Sequence, residues 1–242
     1  MLNIKIKRYT SEPEVKQEVL EYRVDMKDAT LLEVLNKIKT KQDSSLSFSS
    51  GCRSSVCGSC SMRVNSKEVL ACAYKVQDGD LIEPLNNVPV IRDLVVDMDR
   101  AYEFNKKAKA WLESITCEPE LTQENEKINE LQSDCILCAS CYSACPVYSV
   151  NEEFLGPFAL TRVWKYVSDA REESSDSKID TIQNSGIWDC TLCNECSVVC
   201  PQGISSKSDI EKLRSKSAMK GYTDPNFANF GGGFGFDGSP SF

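Results

Sequence analysis

The chain contains no histidine. That absence removes Ser-His-Asp hydrolases, histidine-ligated zinc, Rieske centres and histidine-ligated haem. The usual general acid/base near neutral pH goes with it. Positive charge is also short: 28 Lys and Arg face 36 Asp and Glu, a formal charge of -8 over 242 residues. Phosphate binding needs a basic footprint, so nucleic acid is not an expected partner. No segment supplies the ~20 apolar residues of a membrane span. The longest uncharged stretch, Cys135 to Asn151, is broken by cysteines, serines and a proline. The first residues show neither an apolar signal core nor a twin arginine, which predicts no export signal of the chain's own.

What the chain does have is cysteine, 13 in all. The density is below that of small disulfide scaffolds, and a chain this long buries a core without covalent staples. The cysteines fall into three quartets and a single: Cys52, Cys57, Cys60 and Cys72; Cys117; Cys135, Cys138, Cys141 and Cys145; Cys190, Cys193, Cys196 and Cys200. The last two quartets repeat one pattern, C-x2-C-x2-C-x3-C-P, at an offset of 190 − 135 = 55 residues.

That pattern is the bacterial-ferredoxin run for cubane clusters. Cysteines at every third residue of a short loop wrap three corners of a cubane, and the fourth cysteine ligates the other cluster. Cys135, Cys138 and Cys141 are thus expected to share a 4Fe–4S cluster with Cys200. Cys190, Cys193 and Cys196 are expected to share a second with Cys145. Pro146 and Pro201 turn the chain after each crossing ligand. The first quartet reads C-x4-C-x2-C-x11-C, the plant-type 2Fe–2S spacing with a distant fourth ligand. Ser54, Ser55, Gly58 and Ser59 let its backbone wrap closely. Zinc is the alternative for each quartet, although zinc cysteines usually come as separated pairs. Disulfides within such crowded runs would staple nothing distant. Cys117 has no partner in any pattern and reads as a small packed residue. No acid/base pair marks a substrate pocket, so the composition points to an electron conductor. Three clusters of four thiolates would add roughly -6 to the chain's charge.

The first hundred residues mix strand and helix. Leu2, Ile4 and Ile6 alternate with polar residues, a half-buried strand. Val19 to Asp25 is a second strand. Thr30 with Glu33 is a capping box for a helix bearing Leu31, Val34, Leu35 and Ile38. Ser44 to Cys60 is loop. Met62–Val64 and Val69–Ala73 form a hairpin about Asn65-Ser66-Lys67, and Leu81–Leu85 and Val88–Val96 add apolar segments. Beyond Arg100 the chain is helical, beginning with Tyr102 to Leu112. Glu118 to Ser133 is acidic and exposed. Pro157 opens a helix to about Ala170 whose Phe158, Leu160, Val163, Trp164 and Val167 are core. Arg171 to Lys178 reads as polar loop, Ser208 to Ser217 as helix, and the Gly/Phe tail as irregular. The reading is an α+β chain with units at 1–99, 100–220 and a tail at 221–242.

The order of motifs, with TLLEVLNKIK (30–39), SGCRSSVCGSCSMRVN (50–65), IEPLNNVPVIRDLVVDM (82–98) and GPFALTRVWKYVSDAR (156–171), resembles the iron–sulfur subunits of succinate dehydrogenases and fumarate reductases. The resemblance implies an N-terminal β-grasp, plant-type 2Fe–2S ferredoxin domain and a C-terminal all-α, bacterial-ferredoxin-like domain. It implies electron relay between an FAD-containing flavoprotein subunit, where succinate and fumarate interconvert, and a membrane subunit handling quinone, with the 2Fe–2S cluster nearest the flavin. The family usually holds a distal 3Fe–4S cluster on positions matching Cys145, Cys190 and Cys196. Here Cys193 fills the corner that is normally apolar, so a second 4Fe–4S cluster is expected, with 3Fe–4S as the alternative. The usual quinone-site tryptophans are absent from Pro146 to Val150, and Thr191 stands where a histidine is frequent. These departures resemble the atypical, methylmenaquinol:fumarate reductase type, which pairs with a cysteine-rich membrane or membrane-associated subunit. The implied location is peripheral at the prokaryotic inner membrane, on the cytoplasmic face unless a signal-bearing partner co-exports the chain. The competing functions are the iron–sulfur subunit of another flavoprotein complex, such as a thiol-linked fumarate reductase, and a stand-alone ferredoxin carrier.

Overall fold

The computed structural model describes residues 1–10, 17–113, 115 and 121–225. Cys117 and the tail from residue 226 lie outside the described residues, so the readings made for them stay there.

The alternating segment Leu2–Tyr9 is strand β1, with Ile4 and Ile6 buried. It pairs antiparallel with β2, Gln17–Val24, so that Ile4 faces Tyr22 and Leu2 faces Val24. Helix α1, Leu31–Lys41, starts at the expected capping box and buries Leu31, Leu32, Val34, Leu35 and Ile38. The hairpin of β3, Ser61–Val64, and β4, Lys67–Leu70, turns on Asn65 and Ser66 alone. Both have positive φ, 49° and 67°, the backbone of a tight two-residue hairpin turn. Lys67 therefore belongs to the strand, and the strand stops at Leu70 rather than reaching Ala73. Strand β5, Leu81–Glu83, completes a sheet of order β2-β1-β5-β3-β4, parallel only between β1 and β5. A parallel β1–β5 pair inside an otherwise antiparallel sheet, with α1 packed on it, is the expected β-grasp arrangement. A small ribbon, β6 (Val90–Arg92) and β7 (Val95–Val96), follows. Buried Arg8 ties it down, bonding Asp93 from Nε at 2.7 Å and reaching Tyr22 and Ser45.

The rest is helical. Helix α2 spans Asp99–Lys107, shorter and earlier than the expected Tyr102 to Leu112. Helix α3, Gln123–Ser133, is mostly exposed as expected, yet Gln132 is buried. Short helices α4 (Ser140–Ser143) and α5 (Pro146–Val150) follow the first ferredoxin loop. Helix α6, Gly156–Val167, has Pro157 in its first turn and is buried on nearly every side. Helix α7, Ser175–Thr181, replaces part of the expected polar loop. Its Lys178 is fully buried because its ammonium pairs with Glu172 at 3.2 Å and Glu113 at 3.5 Å. Helix α8, Glu195–Val198, follows the second loop, and α9, Ser206–Met219, packs on α6 through Ile210 and Leu213.

Buried side chains form two clusters, one between sheet and α1, the other among the helices. Side chains bridge them: Ser61 Oγ meets Ser140 Oγ at 2.9 Å, and Ser143 Oγ donates to Glu68 at 2.7 Å. No helix among the described residues is long and apolar enough to cross a membrane.

Candidate metal centres

The first quartet sits where α1 feeds into β3. Residues 51–60 form a loop with positive φ at Arg53, Ser55 and Gly58. This curl turns amides onto sulfur: Ser54 N and Val56 N donate to Cys52 Sγ at 3.4 and 3.3 Å, and Cys52 N to Cys57 Sγ at 3.3 Å. Ser55 N reaches Cys72 Sγ at 3.3 Å across the start of the sheet. The amides of Ser54 and then Val56 pull the Cys52 thiol down to about 6, because donors favour thiolate. Cys60 lies beneath, where burial pushes its thiol up to about 11. The loop's two glycines have separate reasons. A Cβ on Gly51 would lie 2.7 Å from Cys57 Sγ, and one on Gly58 would lie 2.5 Å from Ile136 O. Gly58 is thus where the first loop meets the second quartet.

The two ferredoxin runs fold alike. Leu137 and Ala139 have φ of 55° and 60°, and Leu192 and Asn194, 55 positions on, have 56° and 74°. Helices α4 and α8 follow at the same offset. Left-handed residues other than glycine cost roughly 1–2 kcal/mol each, and such strain gathers at functional sites. The fourth cysteine of each run lies with the first three of the other. Cys135, Cys138, Cys141 and Cys200 line one cavity. Cys145, Cys190, Cys193 and Cys196 line another, so Cys193 faces the same space as the other three. Pro157 lies in both walls. Among the described residues no three side chains converge as the ligands of one ion do; the thiols ring a volume instead.

Burial raises the Cys141 thiol well above its ordinary value and pushes Cys196 up to about 12. The donor set fits a sulfide-bridged iron cluster, whose positive iron holds buried thiolates. Asn87 and Arg214 were not legible as site residues. Asn87 Nδ2 donates to the carbonyls of Tyr142, Ser143 and Cys145 at 3.0–3.2 Å, and Arg214 clamps the second loop. Both act on backbone, which leaves no spacing in the sequence. The Trp164 and Phe158 stripe is core, as expected.

Residues 3–103 match the family described as a 2Fe-2S iron-sulfur cluster binding domain, and residues 131–204 match a 4Fe-4S dicluster domain. With the β-grasp sheet and helical layer, they define a protein that carries electrons on iron–sulfur clusters. The chain is 35% identical over 231 residues to the 8-methylmenaquinol:fumarate reductase iron-sulfur subunit of Wolinella succinogenes, covering 89% of this chain and 72% of that one. It is 35% identical over 240 residues to the fumarate reductase iron-sulfur subunit of Haemophilus influenzae, covering 90% and 93%. The chain therefore belongs to the family of iron–sulfur subunits of succinate dehydrogenases and fumarate reductases. A chain of the Mycobacterium smegmatis Sdh1 complex in the apo form shares the fold, with a TM-score of 0.75, 22% identity and coverage of 93% and 98%. The expected family and α+β fold are borne out. So is the role of electron-transfer subunit in an oxidoreductase complex, over the stand-alone carrier.

Proposed function

We propose that this subunit relays electrons between an FAD-containing flavoprotein subunit, where succinate and fumarate interconvert, and a cysteine-rich subunit at the membrane. The observation that carries this is a row of three cysteine-lined sites. The plant-type loop touches the first ferredoxin loop at Gly58, and the two ferredoxin cavities share Pro157. Both ends of the row reach the surface. Cys52, Cys57 and Val56 are exposed at one end, and Cys193, Val150 and Val198 at the other. Exposed apolar residues beside redox centres suit docking faces.

The ligand sets are Cys52, Cys57, Cys60 and Cys72 for 2Fe–2S; Cys135, Cys138, Cys141 and Cys200 for 4Fe–4S; and Cys145, Cys190, Cys193 and Cys196 for a second 4Fe–4S. Residues 1–99 and 100–220 are the two working units, with 221–242 a tail. The subunit lies at the membrane surface, held by its partners. The stretch Pro146–Val150 is a poor quinone wall, since Tyr148 is buried and stacked on Tyr142 at 4.1 Å. The electron exit is therefore a redox group in the partner.

Electron paramagnetic resonance of the assembled complex tests the distal ligand set. The oxidised protein is expected to lack a strong 3Fe–4S signal, and Cys193→Ser to create one, because a cubane sheds the iron at a corner without a protein ligand. A strong 3Fe–4S signal in the unaltered protein would sink the assignment of Cys193.

A further inference from the structure

Each ferredoxin loop has an arginine at its first cysteine, and the two are used differently. Arg214, from α9, spends its donors on backbone. Its Nε and Nη2 reach Ile187 O at 2.9 and 2.7 Å, and Nη2 also reaches Cys190 O at 2.7 Å. Arg162, from α6, commits much less. Its Nη2 lies 3.3 Å from Tyr166 Oη, and its guanidinium 5.8 Å from the centre of that ring. Its Nε is buried and has no hydrogen-bond partner. The guanidinium lies within electrostatic and hydrogen-bonding reach of the Cys135 thiol. Its neighbour Thr161 lines the cavity of Cys135, Cys138, Cys141 and Cys200, with its hydroxyl toward Asp209.

A buried donor without an acceptor costs roughly 1–3 kcal/mol. The buried Nε–H of Arg162 calls for such an acceptor. Thiolate and sulfide sulfurs are such acceptors, and hydrogen bonds to them are a recognised control on cluster potential. A fixed cation at the same place favours the form carrying one more electron.

We propose that Arg162 sets the reduction potential of the first 4Fe–4S cluster, raising it through its charge beside Cys135 and its unpartnered Nε–H. The proposal rests on the ligand set given above for that cluster. The neighbouring loops have donors of their own: Arg214 is engaged with carbonyls of the second ferredoxin loop, and backbone amides meet sulfur in the plant-type loop.

The test is a redox titration of the assembled complex, followed by electron paramagnetic resonance so that each cluster is read separately. Arg162→Met is expected to make the first 4Fe–4S cluster at least tenfold harder to reduce, a fall of about 59 mV for one electron. The other two midpoints should stay in place. Arg162→Lys, which keeps the charge, should remain near the wild-type midpoint. An unchanged midpoint in Arg162→Met, or an equal shift of all three clusters, overturns the proposal. If Arg162→Met loses the cluster, Arg162→Gln gives the reading, with the same lowered midpoint expected. Loss of the cluster from both, with retention in Arg162→Lys, would make the arginine an assembly residue and also overturn it. Cys135→Ser separates the underlying reading: if the first cluster's signal is unaffected there, the ligand set fails, whatever Arg162 does.

Discussion

At Cys52 and Cys57 the thiols lie at the surface and backbone amides are turned onto them, whereas Cys141 and Cys196 lie within the helical half, where burial raises both thiols. The surroundings differ in the same sense. The N-terminal core is built from Ile4, Ile6, Leu35, Ile38, Met62 and Ile82, on strands and a helix that pair with one another. The helical core includes Ala139, Tyr142 and Cys145 of its cysteine loop, whereas the N-terminal core takes only Cys60 from residues 51–60. Helices α4, α5 and α8 are four or five residues long, far too short to persist unaided. The N-terminal half is thus expected to hold its fold without a cluster, and the helical half to need its clusters to fold.

Iron removal should give the largest effect, because metal binding free energy becomes folding free energy where the site does not pre-exist. In the full chain treated with a chelator and reductant, amide exchange protection should persist in β1, β3, β5 and α1. It should collapse in residues 134–146 and 189–201 and in the helices beside them. Equal loss in both halves would break the comparison.

The contact between the halves comes next. Gly58 has φ of 71°, and an added Cβ would lie 2.5 Å from Ile136 O and 2.9 Å from Cys138 Cβ. Left-handed strain and overpacking together predict that Gly58→Ala costs about 2–4 kcal/mol. It should also slow electron passage between the 2Fe–2S and first 4Fe–4S clusters, measured by rapid-freeze paramagnetic resonance. Unaltered stability and rate would mean that the loops do not meet there.

How much of this was legible follows from where each signal lies. Thr30 with Glu33 and the alternation of Ile4 and Ile6 are local patterns, and both appear in the fold, while Cys145 and Cys200 line the cavities of the opposite runs. Lys178 was read as loop because its charge is cancelled by Glu113, 65 positions away, and by a Glu172 whose own burial depends on the fold. Arg162, Asn87 and Arg214 were silent for a related reason. What matters is the sulfur or carbonyl they reach, and neither leaves a residue type at a fixed spacing. The turn Asn65-Ser66 was drawn one residue too long because polar Lys67 looks the same in a turn and on an exposed strand edge.

A buried acid gives a smaller effect within the helical half. Asp209 on α9 accepts from Gln132 Nε2 at 2.8 Å, the Thr161 hydroxyl also faces its carboxylate, and Lys212 is 3.9 Å away. Burial pushes its carboxyl up to about 6. The folded state then binds more protons than the unfolded one between about pH 4 and pH 6, so stability falls as pH rises through that window and levels off above it. The Asp209→Asn change keeps the oxygen that accepts from Gln132 and removes the charge. It should stabilise the helical half by about 2 kcal/mol at pH 7 and by little at pH 4. Thermal unfolding at both values checks this; equal gains at both would show that the charge is not the cause.

The smallest effect tests whether the N-terminal half is as self-contained as its core implies. Glu33 N donates to Thr30 Oγ1 at 3.3 Å, and Glu33 Oε2 accepts from Thr30 N at 2.7 Å. The Thr30 backbone amide, and then its hydroxyl, hold the Glu33 carboxyl below its ordinary value. This support is present above the usual carboxylate range and is lost as pH falls through the lowered value. Thr30→Ala removes the hydroxyl half of the box and should cost about 1 kcal/mol. Denaturant unfolding followed by 2Fe–2S absorbance near pH 7 should show that loss, while unfolding of the helical half and all three cluster midpoints stay where they were. If the cap's loss were felt equally at residues 134–146, the two halves would fold as one unit, and the contrast between a finished fold and a cluster-made one would fail.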